Sequence, residues 1–269
     1  MSPDGERVLV TGKQLSVPGE PDVFRRDGFS IFRRDPVTGL LTLQEALIRD
    51  RTSPRDLGYP IVFAPDGRDV YVTTGDRVVI AYRVLPRCSA APLADCRVPT
   101  LAGRAPISLV HGARDALLWK WRAGEATSAG DLGDPSHDTD YAFCLHREAA
   151  GTWQSLLQLV VPAATSCGRN AAPCWKGAGK PAGATGYVFR DPSMQYDGVA
   201  ELRLRPGTDG RASILLRGRG PLLELPPLPL APSERVVAQL RSSDGACWSA
   251  SYATPAVTNT EKKFTDHSD

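Results

Sequence analysis

The densest run of potential ligands is GDLGDPSHDTDY, residues 130–141, where Asp131, Asp134, Asp138 and Asp140 surround His137. Hard cations such as calcium take several oxygen ligands from a flexible loop, but an EF-hand needs alternate acidic positions about a central glycine, which this run lacks. Calcium is therefore one reading. The other is a polar loop between strands whose aspartates make local turns. His137 is placed to act as a ligand or base, whereas His111, His146 and His267 have no obvious partners. There is no G-x-S-x-G elbow for a serine nucleophile. The run WKGAGKPAGATG lacks the spacing of a phosphate loop and reads as a flexible segment following Cys174. No catalytic or cofactor-binding residue is assigned.

Two other residue types carry information. Trp119 and Trp121 are two apart, so on a strand they share one face. Exposed, they would form a sugar-stacking platform; otherwise they belong to a core. Trp175 and Trp248 stand beside Cys174 and Cys247, as tryptophans do in sandwich interiors, and core is expected there. The six cysteines are Cys88, Cys96, Cys144, Cys167, Cys174 and Cys247, with no C-x-x-C pair and no zinc-like spacing to histidine. A disulfide set is expected rather than reduced core thiols, and with it an oxidising compartment, extracellular or periplasmic. Within PRCSAAPLADCRVP, residues 86–99, a local Cys88–Cys96 pair would stiffen a linker, although each could pair elsewhere.

The elements that must position these groups are strands. The 269 residues suffice for two domains, and 42% hydrophobic content permits a proper core. A net charge of +2 argues against a dedicated nucleic-acid binder. No apolar run is long enough to span a bilayer. The opening MSPDGERVLV lacks the regions of a signal peptide, so export places that signal in sequence upstream of Met1.

The stretch Ile61–Val84 reads as three strands, and its phrase APDGRDVYV has a near copy in MSPDGERVLV. Asp66-Gly67 suits a tight turn, and Val70, Tyr71 and Val72 suit a strand. Phe29–Arg33 corresponds to Val79–Arg83. The first copy lacks a strand ahead of its turn, and the second lacks a counterpart to Leu40–Ile48. With Asp35, Thr38, Gly39 and Leu40, these phrases resemble the blade repeat of lactonase-type seven-bladed β-propellers, over Met1 to about Pro86. The resemblance implies about two blades of a ring whose other blades lie upstream, since two alone leave their edges open. It does not carry lactonase chemistry.

From Thr100 to Asn259 short strands alternate with turn signals. Asp197-Gly198 opens VAELRLR and Asp209-Gly210 opens RASILLR, both with period-two alternation, and Asp244-Gly245 leads into CWSASY. This pattern predicts an antiparallel β-sandwich, with Trp153–Val161 as a fully buried strand and no helix of three turns. The basic residues between Glu201 and Arg217, all arginines, give one sheet a basic outer face, ordinarily a solvated surface, with an anionic partner as the alternative. LLELPPLPLAP, residues 222–232, is either an edge strand or crossover, or a polyproline ligand.

The phrases LAGRAP, LLWKW, TDYAFCL, PCWK and QLRSSDGACW resemble a cysteine-containing C-terminal module of secreted bacterial proteins that follows propeller repeats. That resemblance implies secretion, a β-rich fold and the pairs Cys167–Cys174 and Cys144–Cys247; spacing alone leaves all connectivities open. The expected architecture is all-β: a partial β-propeller of about two blades over 1–86, a Cys/Pro linker over 87–99, an antiparallel β-sandwich over 100–259 and a polar tail over 260–269. The expected function is a secreted binding or structural protein with no catalytic site in this chain. Its partners would be the upstream propeller blades and a polysaccharide or other cell-surface component. The alternatives are the C-terminal part of a propeller enzyme, a lactonase-like hydrolase or an oxidoreductase, and a carbohydrate-binding sandwich attached to one.

Overall fold

The structure is a computed structural model. It describes residues 88–269 apart from 114, 169 and 231–234, and six strands within the first 87 residues. The chain divides into two compact units, Met1–Val84 and Leu85–Asp269.

The first unit holds two antiparallel three-stranded sheets. One orders β1 (Arg7–Gly12), β2 (Asp27–Arg34) and β3 (Leu41–Arg49); the other orders β4 (Leu57–Phe63), β5 (Asp69–Thr74) and β6 (Val79–Arg83). Pairing of Val8 with Phe32 in the first sheet corresponds to pairing of Val70 with Tyr82 in the second. The repeat therefore consists of the pairs β1–β2 and β5–β6. The unmatched strands flank opposite sides, β3 after the first pair and β4 before the second. Val70 and Val72 are buried with Tyr71 exposed between them, the alternation of a half-buried strand. The expected Asp66-Gly67 turn lies outside the described residues.

The second unit is built from antiparallel sheets, consistent with a β-sandwich. Its strands are β7 (Ile107–Val110), β8 (Ala116–Gly124), β9 (Tyr141–Ala149), β10 (Thr152–Val161), β11 (Ser166–Cys167), β12 (Ala172–Pro173) and β13 (Trp175–Gly177). There follow β14 (Tyr187–Arg190), β15 (Val199–Arg205), β16 (Ala212–Arg219), β17 (Arg235–Ser242), β18 (Cys247–Ala253), β19 (Thr258–Thr260) and β20 (Lys263–Asp266). A four-stranded sheet runs β10-β9-β17-β18, and an eight-stranded sheet runs β13-β14-β15-β16-β8-β7-β20-β19. A single 3-10 turn, Gly130–Leu132, is the helical element among the described residues.

Alternation along each strand sends one set of side chains inward. Trp119 and Trp121 of β8, Phe189 of β14 and Leu216 of β16 meet Phe143 of β9, Leu240 of β17 and Trp248 of β18 in one core. Each such apolar side chain stabilises the fold by roughly 1.5–3 kcal/mol. The buried indoles also find acceptors. Trp119 Nε1 donates to Tyr252 Oη at 2.9 Å, and that hydroxyl donates to the Ala105 carbonyl at 2.8 Å, which ties β8 to β18. The loop before β15 ends in a tight turn in which the Val199 N–H donates to the Tyr196 carbonyl at 2.8 Å, and its central Asp197 and Gly198 both have positive φ, as a primed turn requires.

Three expectations are corrected, and one pair of alternatives is decided. Trp153–Val161 is not fully buried: it lies on the edge strand β10, and its residues 153–156 are exposed or half-buried. Of the alternatives for residues 222–230 the crossover is the one found: they form no strand and run between β16 in the large sheet and β17 in the small one, with Leu223 and Leu230 buried. The segment 88–99 is not a free linker. It straps the outer face of the four-stranded sheet: Gln239 on β17 accepts the Leu93 N–H at 2.9 Å and donates to the Leu93 carbonyl at 2.8 Å. Gln158 on β10 accepts the Cys88 N–H at 2.7 Å. Finally, residues 260–269 are not a tail. Phe264 of β20 is buried in the core, and Asp269 bonds back to Ser251 and Ala253 on β18.

The strap also decides the disulfides. Cys88 joins Cys144, Cys96 joins Cys247 and Cys167 joins Cys174. The pairs Cys88–Cys96 and Cys144–Cys247 are thus corrected, and Cys167–Cys174 stands as expected. Cys144 on β9 and Cys247 on β18 lie at different places on the sheet, with β17 between those two strands. Each instead meets a cysteine of the strap crossing above it. Beyond Cys96 the strap pairs with β18, through Arg97 N–H to the Cys247 carbonyl and Ser249 N–H to the Arg97 carbonyl. Sheet-edge groups that would otherwise template aggregation are covered in this way.

Candidate anion-binding face

The aspartates singled out in 130–141 are used as turn acceptors. Asp131 accepts the Ser128 N–H and hydroxyl, each at 2.7 Å, and pairs with Arg97 at 2.8 Å. Burial would raise its carboxyl, but the Ser128 bonds and Arg97 outweigh this and hold it below the usual carboxylate range. Asp134 accepts the Ser136 N–H and contacts His137 Nδ1 at 2.7 Å. The Thr139 hydroxyl donates to Asp244 at 2.7 Å and lies 3.3 Å from Asp138, and Asp140 accepts the Ala163 N–H at 2.7 Å. The four face different partners, and among the described residues no three carboxylate, histidine or cysteine side chains converge as a metal site would require.

Trp119 and Trp121 are fully buried, so they are not a stacking platform. Their outward neighbours on β8 are Leu118, Lys120 and Arg122. Trp121 donates its N–H to the Ser249 carbonyl at 3.0 Å, and its ring lies where a side chain on Gly124 would be. Inward placement satisfies both the large apolar ring and its polar tip.

What the sheet turns outward is basic. β15 presents Arg203 and Arg205, and β16 presents Arg217 and Arg219. β8 adds Lys120 and Arg122, β14 adds Arg190 and β13 adds Lys176. Among the outward positions of these strands the one carboxylate is Glu201, whose side chain is nearly buried beneath the guanidinium groups. Its Oε1 lies 2.6 Å from Arg203 and 3.4 Å from Arg190, and its Oε2 lies 3.4 Å from Arg217. One carboxylate against three guanidinium groups organises them without neutralising them, so the surface keeps a surplus of positive charge.

The face also carries shallow depressions. A depression of about 250 Å³ lies among Lys120, Arg122, Arg203, Arg205 and Arg217. A second of about 630 Å³ shares Arg217 with it and extends past Glu201 to Arg190. A third of about 380 Å³ shares Arg190 and Pro192 with the second and ends at Lys176 beside the Cys167–Cys174 bridge. Neighbouring depressions thus share Arg217 and Arg190, and together they mark a basic track across the strands. Sequence reading located the part between Glu201 and Arg217. Lys120, Arg122, Lys176 and Arg190 were missed, although the alternation in LLWKWR held the signal for two of them.

His146 lies on the opposite face, under the strap, and donates to the Ser89 carbonyl through Nε2 at 3.0 Å. Burial lowers its pKa; the Ser89 bond opposes that shift, and the nearby Arg241 adds to it. It is a neutral structural imidazole at neutral pH.

No protein-family model, no curated protein and no solved structure matches the chain.

Proposed function

We propose that this chain is an extracellular binding module whose large sheet receives an anionic polymer of a cell surface or matrix. The carrying observation is the basic track, with cations on five neighbouring strands around the single organised carboxylate Glu201. The three disulfides support an oxidising compartment. The likeness of the first 86 residues to propeller repeats supports a role in which the sandwich targets or docks a propeller; catalysis, if the assembly has any, belongs to that propeller.

The test is retention of the full oxidised chain on an immobilised sulfated polysaccharide such as heparin. Retention at low salt and release by roughly 0.5 M salt is expected, as solvent-exposed charges are screened. A neutral dextran matrix should not retain it. Equal passage through both matrices at low salt would rule the proposal out.

A further inference from the structure

The cations of the track are placed regularly across the sheet. Pairing runs from Lys176 on β13 to Val188 on β14, Arg203 on β15, Leu215 on β16 and Lys120 on β8. Residues directly opposite in register point to the same face, so these five form one row perpendicular to the strands. Cations occupy every second strand, and half-buried aliphatic side chains occupy the strands between. Neighbouring strands are about 4.8 Å apart, so the backbone positions that carry successive cations stand about 9.5 Å apart. The next row repeats the two-strand interval, with Arg190 on β14 and Arg217 on β16 flanking Glu201.

This alternation selects among anionic polymers. A homopolymer of acidic sugars carries a charge on every unit, and half of those charges would lie over Val188 and Leu215; a phosphodiester chain, also charged on every unit, has a repeat that matches neither the one-strand nor the two-strand interval. A polysaccharide that alternates acidic and neutral sugars places one charge per disaccharide. In an extended chain that repeat is close to the interval between Lys176, Arg203 and Lys120. The C–H face of each neutral sugar would then rest on Val188 or Leu215, while each carboxylate meets a cation. Resting on the reading of this face as a polyanion site, we infer that the ligand is a linear acidic polysaccharide with alternating uronate and neutral residues, lying across β13, β14, β15, β16 and β8.

The experiment compares binding of the full oxidised chain to size-matched oligosaccharides by calorimetry. The probes are hyaluronan fragments, which alternate uronate with N-acetylhexosamine, polygalacturonate fragments, which are charged at every residue, and single-stranded DNA of equal charge. Hyaluronan fragments should bind most tightly per unit charge. Leu215→Gln leaves net charge unchanged and should weaken hyaluronan roughly tenfold while leaving polygalacturonate within about twofold. Lys120→Gln should weaken both. If polygalacturonate or DNA binds as tightly as hyaluronan, or if Leu215→Gln affects both sugars alike, the alternating-ligand inference is wrong and the polyanion site survives. If no polyanion binds, the site itself is refuted.

Discussion

Removing the Cys96–Cys247 bridge should be the most damaging single loss of covalent structure in the second unit. Its partners are 151 residues apart, against 56 for Cys88–Cys144 and 7 for Cys167–Cys174. Treating each bridge as a restriction on the unfolded chain gives about 5, about 4 and about 2 kcal/mol respectively at 25 °C. The double change Cys96→Ser with Cys247→Ser leaves the Gln239 bonds to Leu93 and the pairing of Arg97 with β18 intact. The loss measured is therefore mainly the cross-link. Urea unfolding followed by tryptophan fluorescence should show that this variant is less stable than Cys167→Ser with Cys174→Ser by about 2–3 kcal/mol, with a steeper denaturant slope because its unfolded chain is less compact. Equal losses would refute the entropic argument. A non-reducing peptide map joining Cys96 to any residue other than Cys247 would refute the strap itself.

Other perturbations follow from the core and from buried titratable groups. Tyr252→Phe leaves the buried Trp119 N–H without its acceptor and should cost about 1–3 kcal/mol in the same unfolding assay. Gly124→Ala would set a methyl group 1.9 Å from the Trp121 ring, so it should destabilise by about 1–3 kcal/mol or more and perturb the near-UV circular dichroism of the indole. His146 has a folded pKa below its unfolded value of about 6.5. The unfolded chain then takes up the proton first, so the stability from neutral His146 is present above about pH 6.5 and declines as pH falls through the folded value. His146→Gln should flatten that part of the stability profile, and an unchanged slope between pH 7 and 5 would show that another group carries it.

The fold class was legible because it rests on local signals. Period-two alternation in VAELRLR and RASILLR and the Asp-Gly turns each act within a few residues. Functional placement was less legible because it depends on register between distant strands. Lys176, Arg203 and Lys120 belong to three segments, and their common row appears only when β13 to β16 and β8 are paired. The Trp119/Trp121 pair shows the limit of periodicity: alternation told that they share a face, but not that this face is inward and Lys120 outward. The strap was missed for a related reason. A run rich in proline, alanine and cysteine has no period of its own, and its order comes from Gln158, Gln239 and two cysteines of a sheet formed by residues far along the chain. In the aspartate loop, carboxylates suited to a hard cation are equally suited to backbone N–H groups, and here Asp131, Asp134 and Asp140 each accept such a bond.

The most direct test of the basic track is chemical footprinting of lysines on the full oxidised chain, with and without a bound acidic polysaccharide. Acetylation at Lys120 and Lys176 should fall sharply on binding, while Lys262 and Lys263 at the β19–β20 turn should react as before. Protection of Lys262 and Lys263 with Lys120 and Lys176 unchanged would contradict the account and move the ligand off this face.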